Sequence, residues 1–87
     1  MFIIIVYDVA EERVTKVNKF LKRYLHWIQN SVFEGIISRP LLEEIKAGLK
    51  EIIDTEYDAV YFFTVKKPSM VEKEVMGTER GAPFRII

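Results

Sequence analysis

Unbroken apolar runs and helically spaced apolar residues take turns along the chain. Phe2 to Val6 is apolar throughout and is followed by Tyr7 and Asp8. A short continuous run of this kind predicts a strand over residues 2–7, buried on both faces. From about Glu11 to Tyr24, Val14, Val17, Leu21 and Tyr24 recur with Phe20 beside them. That spacing is the buried stripe of an amphipathic helix. Glu11 and Glu12 open it and Lys22 and Arg23 close it, as the helix dipole favours.

Leu25 to Ile37 carries no helical repeat and is rich in β-branched and aromatic residues. It predicts two short strands, or one strand broken by a bulge, around Asn30-Ser31. Ser38-Arg39-Pro40 then marks a helix start, with Glu43 and Glu44 expected in its first turn. Leu42, Ile45, Leu49, Ile52 and Ile53 form its apolar stripe. Residues 54–58 read as a turn, and Ala59 to Val65 as a second strand buried on both faces, ended by Lys66-Lys67-Pro68-Ser69.

Strand, helix, strand, strand, helix, strand is the order of a split β-α-β unit. Right-handed crossovers then give an α+β, ferredoxin-like sandwich, with the first and last strands expected at its two central positions. The tail, residues 68–87, is interrupted by Gly77, Gly81 and Pro83 and ends on Phe84-Arg85-Ile86-Ile87. Its expected use is an extra strand on a sheet edge, its own or, more in keeping with an apolar terminus, a partner subunit's.

Size and composition narrow the possibilities. Eighty-seven residues make one domain with a modest core. A hydrophobic fraction of 49% is high for that size, and the surplus predicts a homodimer. The absence of cysteine excludes disulfides and thiolate metal sites, and the lone His26 excludes a histidine cluster. With no basic leader and no apolar run near the ~18 residues of a membrane helix, a soluble cytoplasmic protein is expected.

Formal net charge is zero, so any attraction for a polyanion is local. Between Arg13 and Arg23 there are five basic residues and no acidic one. Arg13, Lys16, Lys19, Lys22 and Arg23 make a stripe facing away from the apolar one. It is either a solvated helix face or a track for phosphates, which it would bind without reading bases.

Asp8 is the residue whose placement asks for a reason. It ends a buried strand, on the rim where open sheets tend to place ligands, with no basic residue before Arg13 to pair it. It either caps the following helix or serves chemistry. One carboxylate is little for a metal, but a two-fold axis near this rim would bring two together. A divalent ion between them could activate water for attack on a phosphodiester. Tyr7 points to the other face of the strand as a core aromatic. His26 and Trp27 open the next strand, and Glu34 faces solvent or an interface. There is no triad and no glycine-rich phosphate loop.

The segment "IQNSVFEG", Ile28 to Gly35, together with "YDV", Tyr7 to Val9, resembles the small CRISPR-associated endoribonuclease family, the second of the two core adaptation proteins. The likeness extends through "DAVYFFTV". It implies a ferredoxin-like homodimer whose carboxy-terminal strand pairs with the neighbouring subunit. It also implies a partner of the CRISPR integrase in capturing new spacers, and a magnesium-dependent nuclease acting on single-stranded RNA or duplex DNA. By the same resemblance Asp8 is the metal-binding aspartate, Mg²⁺ is the cofactor, and Tyr7 and Phe33 join Asp8 at the catalytic site. Some relatives carry arginine where this chain has Trp27, and the family's basic positions correspond only loosely to Arg13 and Lys16. Other readings are a non-catalytic bridge between integrase subunits and DNA, a toxin-type messenger-RNA endonuclease on the same scaffold, and a structural domain.

Overall fold

The computed structural model describes residues 1–79. Its elements are β1 (Phe2–Asp8), α1 (Glu11–Lys22), β2 (His26–Gln29), β3 (Val32–Ile36), α2 (Arg39–Ile52), β4 (Ala59–Lys67) and β5 (Met70–Gly77). The five strands form one antiparallel-paired sheet in the order β2-β3-β1-β4-β5. β1 and β2 sandwich β3, and β3 and β4 sandwich β1, so both crossovers are split. The fold is ferredoxin-like with an added edge strand.

β1 occupies the centre, as expected. β4 is interior only because β5 covers its outer edge, and β3 shares the interior with them. The tail as far as Gly77 is thus strand β5 of the chain's own sheet, paired from Ala59↔Gly77 to Lys67↔Met70. The tail, residues 68–87, is expected on a partner; its stretch Met70–Gly77 pairs instead with β4 of the same chain, and residues 80–87 lie outside the described residues.

The helices cover one sheet face. Ile3, Ile5, Tyr7, Phe33, Val60 and Phe62 are buried beneath Val17, Leu21, Leu42, Ile45 and Leu49. Losing one of these, as in Ile5→Ala, leaves a cavity and costs about 2–5 kcal/mol. Among the described residues the other sheet face carries no helix. β1 therefore alternates between buried and half-buried residues and is not enclosed on both sides in the single chain. β4 is enclosed on both sides only over Ala59–Phe62. Phe2, Ile4, Val6, Phe63 and Val65 stay half-buried on the uncovered face, where Ile36 is 82% exposed.

Boundaries follow local chemistry. α1 ends at Lys22, two residues before its expected end. The N–H groups of Arg23 and Tyr24 turn back to the carbonyls of Phe20 and Leu21 at 3.2 and 3.0 Å. Val14, expected in the buried stripe, is 38% exposed near the helix start. Ser38 caps α2, its hydroxyl accepting from Leu41 N–H at 3.3 Å, so Glu43 and Glu44 fall beyond the first turn. Asn30-Ser31 is a two-residue hairpin turn, with Asn30 at φ +44°, a conformation asparagine tolerates. A register irregularity follows Trp27 as well, so the two strands and the bulge are both present.

Candidate active site

β1 delivers Asp8 to the rim of the sheet, where Asp8 pairs in register with Ala59 and its side chain is exposed. Beside it stands the Asn30-Ser31 turn, tied in by Tyr7 N–H donating to the Ser31 carbonyl at 3.1 Å. Tyr7, Asp8, Val9, Val14, Asn30 and Ser31 line a shallow cleft of about 360 Å³. The exposure of Val14 is explained by its place in this wall. Asp8 caps nothing: the α1 N-cap is Ala10, with no side-chain cap bond. Among the described residues no cation forms an ion pair with Asp8.

Tyr7 is buried, its ring 6.3 Å from that of Phe33 between centroids and its hydroxyl accepting from Asn18 Nδ2 at 3.3 Å. Phe33 has no exposure at all. A side chain with no surface cannot touch a substrate, so Phe33 supports the Tyr7 ring from within the core. Tyr7, 5% exposed, is among the residues that line the cleft.

The residue that sequence reasoning missed is Asp58. Its side chain is 0% exposed, yet every polar atom is answered. Oδ1 accepts from Ala10 N–H at 2.9 Å and from Arg13 Nη2 at 3.0 Å. Oδ2 accepts from Arg13 Nε at 2.6 Å and from Asp54 N–H at 2.9 Å. Burial pushes this carboxyl up, but the hydrogen bonds from Arg13, Asp54 and Ala10 outweigh it and hold it below the usual carboxylate range. Asp58 thereby takes the N–H of the N-cap residue Ala10 from 48 residues along the chain, the part that an N3 side chain plays in a capping box. Its backbone carbonyl also takes Thr78 N–H at 2.7 Å, joining the exit of β5 to the same point.

Arg13, expected on the phosphate-facing stripe, is therefore committed to Asp58, with a further contact to Glu12 at 3.4 Å. The hydrogen bond to Asp58 raises its already high pKa. Lys16, Lys19, Lys22 and Arg23 remain exposed along α1 and its closing turn. Lys22 Nζ lies 5.3 Å from the Trp27 ring centroid and Arg23 lies 5.4 Å from that of Tyr24. His26 is exposed opposite Glu34 and, among the described residues, belongs to no metal-binding cluster.

Among the described residues of one chain, no three His, Cys, Asp or Glu side chains converge as metal ligands. That donor set still suits magnesium, which is commonly held by one or two carboxylates with waters and substrate phosphates rather than by an all-protein cage.

The profile of the family described as CRISPR associated protein Cas2 matches residues 1–72. A CRISPR-associated endoribonuclease Cas2 of Thermococcus kodakarensis is 51% identical over 81 residues, 93% of each chain. The chain belongs to the Cas2 family. The CRISPR-associated endoribonuclease Cas2 of Pyrococcus furiosus is 47% identical over the full length of both chains, 87 residues. Among solved structures, a crystal structure of Cas2 superposes with a TM-score of 0.73 at 41% identity, covering 100% of this chain and 98% of that one. Streptococcus pyogenes Cas2 superposes with a TM-score of 0.70 at 32% identity, over 78% of this chain and 89% of that one. No helix among the described residues is long and apolar enough to cross a membrane.

Proposed function

We propose that this Cas2-family chain is an endonuclease of CRISPR adaptation, working as a homodimer on RNA or DNA phosphodiesters and partnering the CRISPR integrase. One observation carries the reading. A chain that surrounds a second rim carboxylate, Asp58, with four donors leaves Asp8 exposed and, among the described residues, without an ion pair at the mouth of a cleft. An acid kept free at the end of the central strand is available to a ligand. The names of the relatives, endoribonucleases, give the class of ligand.

In the proposed dimer the uncovered sheet faces meet and the two Asp8 carboxylates approach across the two-fold axis. Mg²⁺ bound there would supply Lewis-acid polarisation of the phosphoryl oxygen and a nucleophilic water at neutral pH. Asp8 from each protomer holds that charge in place. Asp58 fixes the β1–α1 connection that carries Asp8, through Ala10 N–H and Arg13. Lys16, Lys19, Lys22 and Arg23 attract the phosphate backbone without choosing a sequence.

A second reading, a non-catalytic DNA-bridging adaptor of the integrase, is favoured by one observation. Among the described residues that line the cleft, Tyr7 is the one titratable side chain besides Asp8. Cleavage of labelled single-stranded RNA and duplex DNA by wild type and Asp8→Asn, with and without magnesium, decides between them. Magnesium-dependent cutting that vanishes in the variant supports the nuclease. No cutting by wild type, or equal cutting by both, supports the adaptor.

A further inference from the structure

Trp27 is the chain's single tryptophan, and it is 46% exposed at the start of the edge strand β2. Tryptophan is highly buried on average, so an indole this open on a small domain calls for a physical reason. The side chain is nonetheless fixed. Its Nε1–H donates to the Asn30 carbonyl at 2.9 Å, bracing the ring across the hairpin turn. Lys22 Nζ stands 5.3 Å from the ring centroid. A braced, half-exposed aromatic ring with a cation over it is prepared for stacking, because little side-chain freedom is left to lose on binding.

The surroundings select the occupant. Lys19, Lys22 and Arg23 are exposed around the end of α1, in a segment with no acidic residue. An apolar protein partner would bury those charges without pairing them, which is costly. A single nucleic-acid strand satisfies both features at once, a base for the ring and phosphates for the ammonium groups. The location is also shared with the proposed active site. Asn30, whose carbonyl holds the indole, lines the cleft that contains Asp8.

We infer that Trp27 is a base-stacking subsite: an unpaired nucleobase of a single-stranded substrate lies on the indole, with its phosphates at Lys19 and Lys22, next to the Asp8 cleft. The inference rests on the nucleic-acid role proposed above and adds to it a recognition residue. A continuous duplex keeps its bases within the stack, so the subsite serves strands or strand ends with an unstacked base.

Because Trp27 is the only tryptophan, indole emission reports the subsite directly. The intact chain is titrated with a fluorescently labelled single strand, in RNA and DNA arms, and with an abasic strand of equal length. Anisotropy of the label reports binding and indole emission reports stacking. The base-bearing strand is expected to bind and quench, and the abasic strand to bind more weakly without quenching. Trp27→Leu is expected to raise Kd about 10-fold, within the range of one lost base–aromatic stack. Trp27→Phe keeps a π face but loses the Nε1–H bond, and is expected to recover most of that affinity. Circular dichroism confirms that both variants are folded. Binding without quenching, or equal loss in Phe and Leu variants, overturns the subsite while leaving the nucleic-acid role standing. No binding of any strand by wild type overturns both.

Discussion

Replacing Asp58 with alanine removes the acceptor on which four donors converge. The Arg13 guanidinium, partly open to solvent, regains water when the carboxylate goes. The N–H groups of Ala10 and Asp54 lose the ionised acceptor of their part-buried hydrogen bonds. A hydrogen bond to a charged group contributes about 1.5–3 kcal/mol, so losing the two costs about 3–6 kcal/mol. A domain of 87 residues has a total stability of about 4–13 kcal/mol, so the substitution consumes a large share of it. With an unfolding entropy of about 2.1 cal/mol/K per residue, a 4 kcal/mol loss lowers Tm by about 20 °C. Calorimetric melting at neutral pH provides the test, and a drop below about 3 °C would refute the network as a structural tie. The acid limb supplies an independent sign. The Asp58 carboxyl is held below its unfolded value of 3.8, so its contribution is present above that pH and is lost as pH falls through the folded pKa. The Tm gap between wild type and Asp58→Asn therefore narrows below pH 3.8. A gap that stayed constant into strong acid would contradict the assignment.

Other consequences are simpler to state. Gly77 has φ +96°, and a Cβ there would meet the Asp58 carbonyl, so Gly77→Ala should destabilise by about 1–3 kcal/mol, read by urea denaturation. Ile4 lies opposite Glu34 on the uncovered face, so Ile4→Lys gains a cross-strand ion pair in the monomer while placing a charge in the proposed dimer interface. Light scattering should then report a folded 10.2 kDa monomer, against twice that mass expected for the proposed wild-type dimer. Lys19→Gln should reduce the slope of log Kd against log salt by about 0.7 for a single strand, whereas Arg13→Gln should lower Tm and leave the slope nearly unchanged.

Much of this architecture is legible because each element announces itself by local rules. Ser38-Arg39-Pro40 starts α2, Asn30-Ser31 turns the hairpin, and the run Ala59–Val65 forms β4. What failed depended on partners distant in sequence. Whether β1 is covered on both faces is a property of what lies over the sheet, which the apolar run itself does not encode. The fate of Arg13 was hidden for the same reason, since Asp58 lies 45 residues away and turn chemistry alone accounted for it in the sequence. A faint signal existed: Asp8 ends one apolar run and Asp58 precedes the other, and a single arginine nearby could serve only one of them. Folding gives it to Asp58, and Asp8 is left at the cleft. Phe33 lies in the core behind Tyr7, and a family motif marks positions that matter without separating packing from contact.

The claim on which the account turns is that two Asp8 carboxylates share one divalent ion across a dimer. Titration calorimetry of the wild-type chain with magnesium, with the mass of the assembly measured in the same buffer, tests it most directly. The account predicts one ion for every two chains and no binding by an Asp8→Asn variant that remains dimeric. Binding of one ion per chain, or unchanged binding by the variant, would contradict it.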